Sequence, residues 1–193
     1  MPPEFDRTPR ESVGLLLKVH NERDPGVTEV LNRVGHLCKA TAELFGQSPY
    51  EVERVELAGR LHDVGKLAIT DAILDKPGRL DAAEWVIMRT HAEIGERIIL
   101  SSPSIEHVGS LVRSHHERPD GTGYPDRLGG QDIPFGACVV SVCAAFVAMM
   151  RNRPFSDAIT VEEALDELNR CAGSQFDTRI VEGFSTLIRK ATA

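Results

Sequence analysis

The chain has 193 residues, of which 41% are hydrophobic and 26% are charged, a composition typical of one globular domain long enough to bury a core. Its formal net charge is −7, and no basic cluster occurs, which argues against a polynucleotide ligand. Residues 1–12 lack the apolar segment of a signal peptide, and the apolar run 137–150 is too short to span a bilayer. We therefore expect a cytoplasmic protein with no membrane span, in which an N-terminal extension, 1–14, precedes a single domain, 15–193.

The hydrophobic periodicity predicts helices along almost the whole chain. The predicted helices are, in chain order, 12–21, 28–45, 50–63, 81–100, 105–115, 137–150 and a final helix at 160–171. The fourth and the last begin with capping-box patterns, and 137–150 is apolar on almost every side, which indicates a central helix. No strand pattern competes, so the predicted fold class is all-α. The one long irregular segment is 119–134, a length typical of functional loops.

Four histidines and one aspartate fall at predicted helix ends that a bundle could bring together. They are His62, Asp63, His91, His115 and His116. Imidazole and carboxylate ligands suit Fe, Mn, Zn and similar ions, and an aspartate at such a helix end can bridge two of them. Lys66, one turn beyond Asp63, could meet a phosphate oxygen or protonate a leaving group. A lone histidine is more often a hydrogen-bonded core residue, but two pairs with a further histidine are much less often a coincidence.

The segment "HERPDGTGYP", residues 116–125, predicts a loop with a fixed path. Gly121 and Gly123 admit positive φ, and Pro125 restricts φ to one region. The simplest role for Asp120 and Asp126, which flank the glycines, is to fix the loop by bonding backbone amides. A loop so constrained, directly after a histidine pair, is a candidate binding element.

These segments resemble the HD-GYP subgroup of the HD-domain metal-dependent phosphohydrolases, whose substrates are cyclic dinucleotides, chiefly cyclic di-GMP. The resemblance is carried by "HDVGKLAITDAILDKPGRL", "HAEIGERII", "HHERPDGTGYPDRLGGQDIP" and "AGSQFD", and it extends from about Leu15 to Phe184. It implies an HD-domain helical bundle of roughly six or seven helices around a metal centre. It also implies that the GTGYP loop borders the substrate cleft and takes part in partner docking.

The resemblance assigns roles residue by residue. The implied metal ligands are His62, Asp63 as the bridging carboxylate, His91, His115 and His116. The implied catalytic residues are Asp63 and Lys66. The implied substrate-binding residues are Arg118, Gly123, Tyr124, Pro125 and Arg153.

This chain lacks some of the ligands that form the first metal site of the family. Val30 stands where the family has an additional histidine, and Gly26 stands near the place of an acid. Ala144 stands where the family segment "VADVFDA" supplies a metal-binding aspartate, since the segment here is "VCAAFVA". Apolar side chains offer a divalent ion no lone pair, so the first site keeps only His62 and the shared Asp63. We therefore expect at most one tightly bound ion, Fe, Mn or similar.

Three functional hypotheses follow. The leading one is a degenerate HD-GYP domain, weakly active or inactive, that acts by binding a cyclic dinucleotide, with cyclic di-GMP favoured, or a protein partner through the GYP loop. The alternative is an active cyclic di-GMP phosphodiesterase in which water, His36 or Glu29 replaces the missing ligands. His36 lies six residues after Val30 and so points to another side of a regular helix. The third is a scaffold whose polar cluster binds no ion. Regulatory input is expected from a separate chain or from a homodimer.

Overall fold

The computed structural model of the protein describes residues 8–151 and 157–192, and all regular elements in these ranges are helical. The α-helices are α1 (Pro9–Arg23), α2 (Val27–Leu44), α3 (Pro49–Leu61), α4 (Asp71–Leu74), α5 (Ala82–Arg89), α6 (His91–Leu100), α7 (Gly109–Ser114), α8 (Phe135–Met149), α9 (Val161–Arg170) and α10 (Thr178–Thr192). Short 3₁₀ turns cover Val64–Ala68, Glu106–Val108 and Gly130–Asp132. The all-α prediction is therefore confirmed.

Several helices begin at residues that satisfy the first free amides. Capping boxes precede α1, α5 and α9, at Thr8, Asp81 and Thr160 respectively, as the pattern at the last two predicts. Proline occupies the first turn of α1, where its missing N–H costs no hydrogen bond. Together Thr8 and Pro9 start α1 inside the segment predicted as an N-terminal extension, 1–14.

The centre of the molecule is formed by α2, α3 and α8, which pack against one another. Nine residues of α8 are buried, so the helix predicted to be covered on almost every side does lie in the core. The C-terminal α10 packs against α2, α8 and α9, and its Phe184 makes an edge-to-face contact with Phe146 of α8 at 5.1 Å. No helix within the described ranges has both the length and the apolar character needed to cross a bilayer.

Two of the predicted helices are divided in the structure. The segment 81–100 forms α5 and α6, because Thr90 ends α5 with a tight turn in which its amide and hydroxyl both donate to the carbonyl oxygen of Ile87. Hydroxyl side chains compete with the helical hydrogen-bond ladder in this way. The segment 105–115 starts as a 3₁₀ turn and becomes α-helical only at Gly109.

The helix predicted over 160–171 is α9, with Thr160 and Cys171 as its caps. The prediction that it is the final helix is wrong, because α10 follows it. The Asp177 carboxylate accepts a hydrogen bond from the amide of Arg179 at 2.9 Å and so starts α10. Buried residues then recur on one face of α10 at helical spacing, at Ile180, Phe184 and Ile188.

Candidate metal centre and substrate cleft

The predicted ligands meet where α3 and α7 end and α6 begins. His62 and His115 are the C-caps of α3 and α7, and His91 is the first residue of α6. The ring centroids of His91 and His116 lie 5.0 Å apart, and those of His62 and His115 lie 5.3 Å apart. The structure thus brings together side chains that are far apart in the sequence.

A close backbone approach at Gly65 makes this meeting possible. The 3₁₀ turn that follows Asp63 packs directly on α6. A Cβ atom at Gly65 would overlap the carbonyl oxygen of His91 and would lie 2.6 Å from the amide nitrogen of Gly95. Glycine is therefore required here to hold the turn that carries Asp63 against the start of α6.

The orientation of three imidazoles is fixed by backbone carbonyl groups. In His62, His91 and His115, Nδ1 lies 2.6–2.8 Å from the carbonyl oxygen three residues earlier. A carbonyl oxygen only accepts, so Nδ1 carries the proton and Nε2 presents its lone pair. A backbone carbonyl is a common outer partner of metal-bound histidine.

The free nitrogens converge on one point. One ligand atom from each of His91, His115 and His116 lies within 4.8 Å of the other two. Nε2 of His91 and Nε2 of His115 are buried without a hydrogen-bond partner, an arrangement that costs free energy unless something binds there. Buried lone pairs aimed at a common point fit a divalent ion, so this three-histidine cluster is a candidate metal site.

The environment keeps these imidazoles in the form that binds metal. Burial lowers the pKa of His91 and holds the pKa of His115 well below its ordinary value. Burial, together with the neighbouring His91, lowers the pKa of His116 to about 3. All three rings are therefore neutral at neutral pH, as metal coordination requires.

Asp63 lies between the three-histidine cluster and His62. Its Oδ1 is 3.7 Å from Nε2 of His91, and its Oδ2 is 3.3 Å from Nε2 of His62. Burial alone would raise the pKa of Asp63, but the Lys66 ammonium and then His62 hold the pKa well below its ordinary value. An ionised carboxylate whose two oxygens face two different histidines has the geometry that a bridging ligand needs.

Lys66 is held beside Asp63 by two sets of contacts. Its Nζ donates to Oδ2 of Asp63 at 2.8 Å. The guanidinium of Arg23 donates to the carbonyl oxygens of Lys66 and Leu67 at 2.8 and 2.7 Å, and also reaches Asp71. Arg23 thereby ties α1 to the 3₁₀ turn, a positioning role that sequence patterns did not indicate.

A cavity of about 640 Å³, here called the substrate cleft, opens above the metal-ligand candidates. Of the predicted substrate-binding residues, Arg118, Gly123 and Tyr124 line it, whereas Pro125 is not among the lining residues. Arg153 lies outside the described residues. Lys66 also lines the substrate cleft, so its ammonium can reach a phosphate bound there.

The GYP loop, residues 119–134, is held against the segment that carries the candidate ligands His115 and His116 in three ways. Glu117, only 3% exposed, accepts hydrogen bonds from the amides of Asp126 at 2.6 Å and Leu128 at 3.0 Å. The Tyr124 ring stacks on the His116 ring at 4.7 Å. A Cβ at Gly123 would lie 2.5 Å from backbone atoms of the segment before it, so the loop closes on itself only with glycine.

The two aspartates that flank the loop glycines act differently. Asp120 accepts from the amide of Thr122 at 2.9 Å and pairs with Arg118 at 3.0 Å, so its predicted backbone role is confirmed. The prediction is wrong for Asp126, whose carboxylate binds the Arg113 guanidinium at 2.7 and 2.8 Å instead of a backbone amide. Arg113 thereby anchors the loop to α7.

A second cavity, of about 380 Å³, also adjoins His62 and Asp63, here called the HD pair. His62 and Asp63 line both this second cavity and the substrate cleft. Val30 lines the second cavity, and Ala144 lines both cavities. The two positions at which the sequence lacks family ligands therefore face the HD pair with apolar side chains.

His20 also lines the second cavity and was not identified from the sequence. It is 5% exposed, burial lowers its pKa, and the Asp63 carboxylate opposes that shift. His36 and Glu29, the replacements considered from the sequence, are exposed and line neither cavity. His20 had no sequence signal, because it lies on the buried face of α1 and only tertiary packing brings it near Asp63.

Known proteins resemble this chain over most of its length. The HD domain family model matches residues 15–180. The chain is 39% identical over 181 residues to the cyclic di-GMP phosphodiesterase response regulator RpfG of Xanthomonas campestris pv. campestris (strain 8004), covering 93% of this chain and 48% of that protein. It is 37% identical over 181 residues to the 3'3'-cGAMP-specific phosphodiesterase 2 of Vibrio cholerae serotype O1 (strain ATCC 39315 / El Tor Inaba N16961), covering 93% and 35%.

A solved structure shows the same fold. Bd1817, an HDG"Y"P protein of Bdellovibrio bacteriovorus, superposes with a TM-score of 0.70 at 18% identity, covering 86% of this chain and 53% of that one. This chain thus spans about half or less of the length of the curated relatives that it matches. From the family match over 15–180 and the site that the fold assembles, the chain belongs to the HD-domain family, in its HD-GYP subgroup.

Proposed function

We propose that this chain is a cyclic-dinucleotide-binding HD-GYP domain that holds at most one divalent ion tightly and turns its ligand over slowly or not at all. The observation that carries the proposal is the composition of the second cavity. Val30 and Ala144 line it where an additional imidazole and a carboxylate would complete a second site.

The ion-binding residues in this proposal are His91, His115, His116 and Asp63. Two of the three histidines have buried Nε2 atoms without a partner, and Asp63 is held ionised beside them. When bound, a divalent ion such as Fe or Mn supplies positive charge for a phosphodiester oxygen and acidifies water. Four protein ligands are enough to retain one such ion.

The expected weakness in catalysis follows from the few ligands available on the side of Asp63 that faces His62 and the second cavity. There the predicted ligands are His62 and Asp63 alone, and two protein ligands are too few for tight retention. Phosphodiester hydrolysis at paired sites depends on stabilising the attacking and the leaving oxygen together. A chain that holds a single ion, beside the three-histidine cluster, lacks part of that stabilisation.

Ligand binding depends on groups that the chain keeps. The Lys66 ammonium lines the cleft, is one-third exposed, and can pair with a phosphate oxygen. Arg118 and Tyr124 line the same cleft, and Arg153 remains a prediction of the same kind. The curated relatives are named for cyclic di-GMP and for 3'3'-cGAMP, so we place the ligand among the cyclic dinucleotides, with cyclic di-GMP favoured.

An active phosphodiesterase is the second candidate, and His20 is the observation that favours it. A buried imidazole in the second cavity, electrostatically coupled to Asp63 and His62, could complete the missing ligand set after a small shift of α1. Its ring atoms do not belong to the convergent three-histidine cluster found among the described residues. We therefore rank this candidate second.

The proposal extends to partners and location. The GYP loop, tied to the metal centre through Glu117 and Tyr124, is the proposed surface through which ligand occupancy reaches a protein partner or a second copy of the chain. A cytoplasmic location belongs to the same proposal.

The test measures binding and turnover separately. The purified chain is loaded anaerobically with Fe or Mn, cyclic di-GMP binding is measured by calorimetry, and hydrolysis is measured by chromatography. His116→Ala removes a proposed ligand, and His36→Ala is the matched control because His36 is exposed and lines neither cavity. We expect binding, with turnover that is absent or slow and lost in His116→Ala. Turnover as fast as that of the Xanthomonas relative would favour the second candidate, and no binding would reject both.

A further inference from the structure

Helix α5 forms one rim of the substrate cleft and contributes nothing to the core. None of its eight residues is buried. Its first turn is nevertheless held firmly, since Asp81 and Glu84 form a capping box and Lys76 pairs with Glu84 at 2.5 Å. A well-anchored helix with no core function presents its side chains for another purpose.

Three residues of α5 line the substrate cleft, namely Trp85, Met88 and Arg89. Their spacing of three and four residues places them on one helical face. Trp85 is 46% exposed, although tryptophan has a large apolar surface that folding normally covers. An exposed indole on the rim of a cleft has a free face for a planar ligand.

Arg89 joins Trp85 to the GYP loop. Its guanidinium carbon lies 6.0 Å from the centre of the Trp85 ring and 5.2 Å from the centre of the Tyr124 ring. Tyr124 in turn stacks on His116 of the three-histidine cluster. A continuous row of flat groups therefore runs from the metal centre to the outer rim of the substrate cleft.

Among the residues in 8–151 and 157–192, the Arg89 guanidinium contacts the Trp85 and Tyr124 rings and has no hydrogen-bond acceptor. The other arginines near the cleft differ, since Arg113 is paired with Asp126 and Arg118 is paired with Asp120. The N–H donors of Arg89 are thus free to bind a ligand, while the two neighbouring rings limit where its guanidinium can lie.

We propose that Trp85 and Arg89 form a nucleobase subsite of the cleft, in which a guanine base stacks on the indole and accepts hydrogen bonds from Arg89. This inference rests on the proposed binding of a cyclic dinucleotide, whose phosphate is placed toward Lys66 and the three-histidine cluster. One base of the ligand then lies outward along the row of flat groups.

The chemistry of the two side chains selects guanine over adenine. Stacking on an indole accepts any base, because every base has a flat π-face. Guanine presents two acceptors, O6 and N7, which match two parallel guanidinium donors, whereas adenine presents a donor at the position of O6. Trp85 therefore supplies affinity, and Arg89 supplies discrimination.

The chain offers a direct probe, since Trp85 is its single tryptophan. Cyclic di-GMP and cyclic di-AMP are added to the full chain, indole fluorescence is recorded, and binding is measured independently by calorimetry. We expect cyclic di-GMP to quench the fluorescence along the calorimetric binding curve. Trp85→Ala should weaken binding about tenfold, and Trp85→Phe should restore most of it.

Controls separate stacking from general damage. Tyr50→Ala is the matched control, because Tyr50 is 58% exposed and lines neither the substrate cleft nor the second cavity, and it should leave binding unchanged. Arg89→Ala should reduce the preference for cyclic di-GMP over cyclic di-AMP about tenfold while retaining the quench.

The outcomes distinguish this subsite from the proposed function. Calorimetric binding without a quench, with equal affinity in Trp85→Ala, would overturn the subsite while the binding function stands. An unchanged preference in Arg89→Ala would overturn the selection of guanine. No calorimetric binding of either nucleotide would overturn the proposed function and the subsite together.

Discussion

Replacing Glu117 by alanine should release the GYP loop from the segment that carries the candidate ligand His116. The Glu117 carboxylate is 3% exposed and accepts hydrogen bonds from two amides of the loop, at 2.6 and 3.0 Å. It also follows directly after His116, so the same short segment provides a proposed metal ligand and the carboxylate that holds the loop.

The structure gives the expected size of the effect. Hydrogen bonds to a charged group each contribute roughly 1.5–3 kcal/mol, and alanine removes two such part-buried bonds, to the amides of Asp126 and Leu128. Removing a buried carboxylate also relieves part of its desolvation cost. We therefore expect Glu117→Ala to lower the free energy of unfolding by about 3 kcal/mol. Glu117→Gln, which keeps one acceptor oxygen, should cost about half as much.

Urea unfolding of the metal-free protein measures the loss, and cyclic di-GMP calorimetry measures its effect on the cleft. Glu53→Ala is the matched control, since Glu53 is exposed and its side chain makes no hydrogen bond or ion pair with the described residues; it should change stability by less than about 0.5 kcal/mol. A Glu117→Ala protein as stable as this control, with unchanged ligand affinity, would refute the role assigned to Glu117.

Three further predictions follow from the same geometry. Gly123→Ala places a Cβ 2.5 Å from backbone atoms and should lower the free energy of unfolding by about 2–4 kcal/mol in the same urea assay. Gly14→Ala, on α1, is the contrasting variant: its Cβ meets nothing within 4 Å, so it should raise the free energy of unfolding by about 0.5–1 kcal/mol. Burial lowers the pKa of His116 to about 3, so as the pH falls below about 6.5 this imidazole takes up a proton in the unfolded chain but not in the folded one. The free energy of unfolding of the metal-free protein should therefore fall by about 2 kcal/mol from this residue between roughly pH 7 and pH 5. A pH-independent stability would contradict that shift. Val30→His combined with Ala144→Asp should add a second ion and raise cyclic di-GMP turnover about tenfold or more, and a folded, metal-loaded double variant without that gain would place the defect elsewhere.

The all-α fold could be predicted because its signals are local. The apolar pattern of 137–150 and the capping pairs that begin at Asp81 and Thr160 are visible within a few residues. The division at Thr90 could not be predicted, because a hydroxyl bonding back to the preceding turn is also compatible with an uninterrupted helix. Helix α10 is also predictable from the sequence, since Asp177 followed by apolar residues at helical spacing is a helix start signal.

His62, Asp63, His115 and His116 could be predicted as site residues because they occur as two adjacent pairs at helix ends. Which ring nitrogen of His62, His91 and His115 carries the proton follows from the structure alone, since the carbonyl groups that accept from Nδ1 are free to do so only because α3, α5 and α7 end where they do. His20, Trp85 and Arg89 were missed for a different reason. For His20, only packing between segments that are distant in sequence brings the side chain near Asp63. Trp85 and Arg89 lie six and two residues before His91, but no local pattern indicates that their face of α5 lines a cleft.

The central claim is that the chain retains one ion and not two, and metal analysis tests it most directly. Protein loaded anaerobically with Fe or Mn and then freed of loose metal should contain about one ion per chain. His116→Ala should contain essentially none, while His36→Ala should match the wild type. Two or more tightly held ions per chain in the wild type would contradict the ligand count on which the proposed function rests.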